Sequence, residues 1–406
     1  MKRSLYFLFL LMASCLSFNG CTESAEKDQK AKYIFLFIGD GMGYTQVSLT
    51  ESYLSYKEGK LGGARLSFTG FPVLGTCETY SANYSVTCSS AAGTAIACGQ
   101  KTNNNFIGVD TDGMPLESVA YVLKEEGYKV GIMSNVQINH ATPGAFFAHQ
   151  DDRNKYYEIG AELPESGFDF FAGSGFHMPR GERGEDREPL DSYIERNGYE
   201  VCYGMEEYSS QKDSTDKMVF VQASGRKEDT DFYVSNGKEE QDIDLDAMVR
   251  LALDFLGEEE PFSIMCEGGE IDWAAHENKT MDTVHQILDF EKAVNVALEF
   301  YDSHPEETLI LVTADHGTGG AAMGQGPDWG PENFRWDLLE AQWNESQGKV
   351  SLSTGDNQAL NARAHIGWTT NNHTGEPVPV YAKGKGAEKF SGRIDNTDIK
   401  GKILGE

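Results

Sequence analysis

No Cys-x-x-Cys pair occurs among the 7 cysteines of this chain, so no zinc knuckle is present. With Cys15 and Cys21 set aside, Cys77, Cys88, Cys98, Cys202 and Cys266 remain, an odd number whose spacings suggest no disulfide framework. Basic residues are scarce: 34 Lys and Arg stand against 64 Asp and Glu, a net charge of -30. That balance argues against nucleic acid as a partner and against a basic membrane-binding face. Long apolar runs are missing too. Only residues 4–18 are almost wholly apolar, which is too short for a spanning helix. The glycine turn at residues 39–43 is not a dinucleotide fingerprint, because Tyr44 stands three residues after Gly41. There are no internal repeats and no convincing linker.

The N-terminus reads as a targeting segment. Met1-Lys2-Arg3 is a short basic region ahead of the apolar stretch, as in a signal peptide. Cys21 follows Gly20 and precedes a polar stretch, in the manner of a bacterial lipoprotein signal with Cys21 acylated after cleavage. The expected organisation is a signal peptide over 1–21, a polar tether over 22–31 and one large domain over 32–406, with insertions around 165–260 and 325–365. An exported protein follows, periplasmic or tethered to the outer membrane through lipid alone.

Ligand-type residues recur at one kind of place. Lys32-Tyr33-Ile34-Phe35-Leu36-Phe37-Ile38 reads as a buried strand ending at Gly39-Asp40-Gly41. Phe262-Ser263-Ile264-Met265 reads as another, followed by Glu267, Asp272 and His276 in quick succession. Thr308-Leu309-Ile310-Leu311-Val312-Thr313 is a third, and Ala314-Asp315-His316-Gly317 follows it. Strand exits are where α/β proteins build sites. If Asp272 opens a helical turn, His276 lies on the same face four residues on, and the pair can hold zinc. Each motif alone has a plainer reading as a cap or turn. Independent caps would not be expected to put Asp after three apolar strands, with His276 and His373 available to complete coordination spheres. The inventory suits two zinc ions of mixed nitrogen and oxygen ligation and one oxygen-only magnesium.

Residues 87–99 read as a helix of small residues with Ser89 and Ser90 at its start and Gly99 as its stop. Either serine is an N-cap or a nucleophile set where free N–H groups hold an anion. No flanking His suggests a triad, so activation would have to come from metal. A further strand, Tyr128-Lys129-Val130-Gly131-Ile132-Met133, leads to His140, Thr142 and then Arg153, which is a surface ion-pair partner or a phosphate fork.

Together these motifs resemble the alkaline phosphatase family, from about Lys32 to Gly392. The resemblance implies a three-layer α/β sandwich around a large mixed, mostly parallel sheet. It implies hydrolysis of small-molecule phosphate monoesters through a phosphoserine, and a homodimer is compatible with it. Gly93-Thr94-Ala95 sets the register that carries the nucleophile to Ser89. Asp272, His276 and His373 match the first zinc, Asp40, Asp315 and His316 the second, and Asp40, Thr142 and Glu267 the magnesium. Arg153 falls on the arginine that grips phosphate. Three positions depart from the best-studied bacterial pattern: Cys88 where an Asp precedes the serine, His140 where an Asp stands behind the metals, and Trp273 for a Lys. They bear on the third metal and on how water and phosphate are held. The same scaffold acting on a diester or sulfate, or a tethered phosphate- or metal-binding protein without turnover, are the rival readings; a nucleophile in this frame speaks against the last.

Overall fold

The computed structural model describes residues 30–181, 187–226, 241–324, 334–346 and 352–406. Cys21 and the expected signal peptide lie outside the described residues, as does most of the tether. So do parts of both expected insertions.

The strands, in chain order, are β1 Tyr33–Gly39, β2 Val73–Glu78, β3 Lys129–Ser134, β4 Phe170–Gly173, β5 Glu200–Tyr203, β6 Met218–Val221 and β7 Phe262–Gly268. β8 Thr308–Thr313, β9 Gly317–Thr318, β10 Ala321–Met323, β11 Ile366–Trp368, β12 His373–Thr374, β13 Val378–Gly384 and β14 Gly392–Asp395 follow. Ten of them form one sheet in the order β14-β2-β13-β8-β1-β7-β3-β4-β6-β5. Only β13 runs against its neighbours, β8 and β2; the other pairings are parallel. Segment 165–260 supplies β4, β5 and β6, which extend this sheet at one edge.

β1 is central and shows why the sheet has two covers. All seven of its residues are buried, as an unbroken apolar run requires. Alternate side chains point to opposite faces. Phe35 and Phe37 meet Phe300 and Phe290 of the Thr280–Ser303 helix, with ring centroids 5.5 and 5.9 Å apart. Ile34 and Leu36 face the other way and share a small cavity with Val119, Ala120 and Ile403 from helices on the opposite face. Helix, sheet and helix make three layers.

Register brings the strand exits level. Gly39 pairs with Gly268, Ile38 with Thr313, and Ser134 with Glu267. The chain therefore leaves β8, β1, β7 and β3 along one carboxyl edge, and whatever follows each strand is placed beside its neighbours. Glu267 belongs to β7 itself rather than to the loop after it, because the strand runs past the apolar residues to Gly268.

Candidate metal centre

The Asp40 turn is held by two backbone links: Asp40 N–H donates to the Gly268 carbonyl at 3.2 Å, and Gly41 N–H to Asp315 Oδ1 at 3.1 Å. Gly41 has φ +70, and a Cβ there would lie 2.8 Å from Thr318 Oγ1 and 2.9 Å from Asp272 Oδ1. Only glycine lets this turn approach Asp272 so closely. Asp272 and His276 sit on the short helix Glu270–His276, one turn apart, with Nε2 3.2 Å from Oδ2. His373 arrives from far along the chain because β12 pairs with β9, His373 opposite Thr318.

Three overlapping clusters result, with ligand atoms within 4.8 Å of one another: Asp272, His316 and His373; Asp40, Asp315 and His316; and Asp40, His140 and Glu267. His316 and Asp40 each belong to two of them. The rings of His316 and His373 are 3.6 Å apart, those of His276 and His373 5.0 Å. Thr142, on the Ala141–Gly144 turn of helix, is fully buried, as is Asp40.

Two of the imidazoles have their tautomer set by hydrogen bonds. His276 Nδ1 donates to the Asn371 carbonyl and His373 Nδ1 to that of Thr87, the latter at 2.9 Å, which turns the Nε2 of each ring toward Asp272. Asn371 also donates from its carboxamide to the His276 carbonyl at 2.7 Å. Thr318 donates to Asp272 Oδ1, and Ser134 to Glu267 Oε2. Ser134, Thr318 and Asn371 were not singled out in the sequence. Ser134 carried a signal, a hydroxyl closing an apolar strand; the other two did not.

Charge in this pocket is unbalanced. Burial, then the charges of Asp315, Asp272 and Glu267, hold the Asp40 carboxyl well above the usual range. Burial pushes Glu267 up to about 7 against the pull of the Ser134 hydroxyl. Burial would raise Asp272 as well, yet the hydrogen bond from His276 and three nearby imidazoles bring it below the ordinary carboxylate value. The same pairing lifts His276 to about 9, overcoming its own burial. Burial, with Arg153 adding to it, lowers His140 to about 3; burial, with His316, lowers His373 to about 4.

The residues fit divalent cations. Both Asp40 oxygens, Glu267 Oε1 and Thr142 Oγ1 are buried with no hydrogen-bond partner. Orphaned oxygens together in the interior cost several kcal/mol, roughly 1–3 each, unless something positive meets them. Carboxylates with imidazole suit zinc, and the oxygens of Asp40, Thr142 and Glu267 suit magnesium.

Ser89 is the first residue of the Ser89–Cys98 helix; Cys88 occupies the N-cap position without capping through its side chain. Neither serine is therefore the cap. Ser89 Oγ lies 3.3 Å from His316 Nε2, whereas Ser90 Oγ turns to Cys88 Sγ at 3.1 Å. Arg153 Nη2 lies 3.3 Å from His140 Nε2, and Arg153 has no carboxylate partner among the described residues. His140 packs edge-on against Trp273, centroids 5.7 Å apart. Two of the three departures from the familiar pattern, His140 and Trp273, therefore touch each other.

The alkaline phosphatase family model matches residues 31–174 and 174–404. Alkaline phosphatase 4 of Bacillus subtilis (strain 168) is 32% identical over 427 residues, covering 92% of this chain and 89% of its own. The alkaline phosphatase of the Antarctic bacterium TAB5 superposes with a TM-score of 0.74 at 30% identity, covering 93% of this chain and 98% of that one. A mutant of that protein has been solved with Mg bound in the M3 site. The Thermus thermophilus alkaline phosphatase reaches a TM-score of 0.76 at 25% identity and 95% coverage of each chain. A family match across nearly the whole described chain, with metal-type ligands at four adjoining strand exits, makes this protein a phosphatase, a member of the alkaline phosphatase family.

Proposed function

We propose that the chain hydrolyses phosphate monoesters through a phosphoserine at Ser89, with two zinc ions and one magnesium held by residues of these clusters together with His276 and Thr142, which lie outside them. The observation that carries this reading is the position of Ser89: a buried hydroxyl at a helix N-terminus, aimed at His316 where two ligand clusters meet. Asp272, His276 and His373 would hold one zinc, Asp40, Asp315 and His316 the other, and Asp40, Thr142 and Glu267 the magnesium. Bound there, divalent cations supply Lewis acidity and neutralise charge on the phosphoryl oxygens.

The protein's own groups do the rest. Ser89 Oγ gives up its proton and bonds to phosphorus as the ester P–O bond breaks, and the departing alkoxide takes up one proton in exchange. Water then cleaves the Ser89–phosphate bond, which releases inorganic phosphate and restores the hydroxyl. The first amides of the Ser89–Cys98 helix lack intrahelical partners and face the anion, and the guanidinium of Arg153, with no carboxylate partner among the described residues, forks two phosphoryl oxygens. This concentration of positive partners suits a monoester dianion better than a diester or sulfate. Steady-state rates on an aryl monoester, a diester and a sulfate ester, with zinc and magnesium measured in the same sample, test it. Faster turnover of the diester or sulfate would overturn the substrate assignment. Residues 1–21 support export of the enzyme, with lipid attachment at Cys21.

A further inference from the structure

The turn at residues 103–107 links Cys88, the residue before Ser89, to the backbone of Arg153. Asn105 N–H donates to Cys88 Sγ at 3.2 Å, and the Asn105 carbonyl accepts from Arg153 N–H at 2.8 Å. One residue therefore touches the neighbour of Ser89 with its amide and the backbone of Arg153 with its carbonyl. Flanking contacts reinforce each end. The Asn104 carboxamide accepts from Cys88 N–H at 3.1 Å and donates to the Val86 carbonyl at 3.2 Å. Ile107 and Gln150 exchange both backbone bonds, at 2.8 and 2.9 Å, just before Arg153. Asn105 achieves this in the left-handed region, φ 74, one of four non-glycine residues with positive φ among the described residues. Asparagine is among the few side chains that tolerate it. Its own carboxamide has no hydrogen-bond partner among the described residues, and the residue is exposed. What it contributes is backbone shape.

We propose that Asn105 is a positioning residue: its left-handed backbone sets the distance between the phosphate-gripping guanidinium of Arg153 and the Ser89 nucleophile. Among the described residues Arg153 has no carboxylate partner; its guanidinium meets His140 at 3.3 Å, while its backbone is held by the Asn105 turn, which sets where the side chain starts. Misplacement of an anion-binding group by about 1 Å can cost on the order of 100-fold in rate.

This inference rests on the phosphatase reading, and its test separates the two. Metal-loaded wild type, Asn105→Gly, Asn105→Val and Cys88→Ala are compared for kcat and KM on an aryl phosphate, for inhibition by inorganic phosphate, and for melting temperature and metal content. Asn105→Gly keeps positive φ and should behave as wild type. Asn105→Val cannot hold it without strain. It should raise KM and weaken phosphate inhibition by about tenfold or more while binding the same metals. Cys88→Ala removes the acceptor for the Asn105 amide and should shift both constants in the same direction by less, which keeps the test open should the valine variant fold poorly. Unchanged phosphate inhibition in both Asn105→Val and Cys88→Ala would overturn the proposal. A glycine variant as impaired as the valine one would do so too, by showing that the carboxamide matters and not the backbone. A wild type inactive on monoesters would instead sink the phosphatase reading and this inference with it.

Discussion

His373 donates from Nδ1 to the carbonyl of Thr87, 286 positions away in the chain and two residues before Ser89. One hydrogen bond thus fixes the imidazole tautomer and ties that proposed ligand to the segment that carries the proposed nucleophile. Loss of geometry on either side should be felt on the other, and the serine pair is where this is most cleanly read.

Ser89→Ala should abolish the covalent intermediate and lower kcat by about 100-fold or more while zinc content stays near wild type. Ser90→Ala loses only the contact with Cys88, worth about 1 kcal/mol, and should keep most activity. Acid-trapped phosphoenzyme, digested and mapped, decides the assignment; phosphate on Ser90 would show it to be wrong.

Gly41→Ala should be far more damaging than its size suggests. An alanine at φ +70 costs about 1–2 kcal/mol in backbone strain alone. Here its methyl would also press on Thr318 and Asp272, displacing ligands. Gly113→Ala is the matched comparison, since φ is +81 there but open space surrounds the added carbon. The first variant should lose zinc on dialysis and most activity, and the second only a few degrees of melting temperature. Equal zinc retention in both would contradict the close-approach argument.

The acid limb of stability should depend on Glu162. Its carboxyl is half-buried, which would raise its pKa, but hydrogen bonds from the His149 side chain, Gln150 and the His149 N–H (2.7 Å) pull it below the ordinary glutamate value of 4.5. A depressed carboxyl contributes stability that is present above that ordinary value and lost as pH falls through the lower folded one. Glu162→Gln should therefore be less stable than wild type at pH 7, by about 1 kcal/mol, with the gap closing below pH 4.5. Thermal melts of both proteins at pH 7 and pH 3.5 check this. A gap that widens in acid would reverse the sign and refute it. Because His149 and Gln150 lead into Arg153, KM should rise with the same substitution.

Export can be read chemically. Mass spectrometry of the mature N-terminus from membranes is expected to show an acylated Cys21; an unmodified terminus beginning elsewhere would leave secretion without an anchor.

Much of the site was legible because chemistry and strand exits coincide in the chain. Apolar runs ending in Asp40, Glu267 and Asp315 announce buried strands that deliver carboxylates, whatever their order in the sheet. What stayed hidden were the supporting groups. Thr318 and Asn371 are ordinary polar residues in turns, and nothing local marks them as partners of Asp272 and His276; only the pairing of β9 with β12 and the loop before β12 places them there. β7 runs past its apolar residues for a related reason. Glu267 is a poor strand former by composition, yet it pairs with Ser134 and Ile38 on either side, and the sheet's hydrogen bonding carries it.

Sequence alone determined that a large α/β core forms, that its strands end in metal-type ligands, and that a small-residue helix begins with a serine pair. Hydrophobic runs specify burial, and residue types specify which atoms can bind a cation or attack phosphorus. They do not specify neighbours. The order β8-β1-β7-β3, the sharing of Asp40 and His316 between clusters, the facing of Ser89 rather than Ser90 toward His316, and the clasp of Asn105 on Cys88 and Arg153 are tertiary facts. Each depends on contacts between segments far apart in the chain, whose energies arise only when the sheet has assembled and brought those segments level.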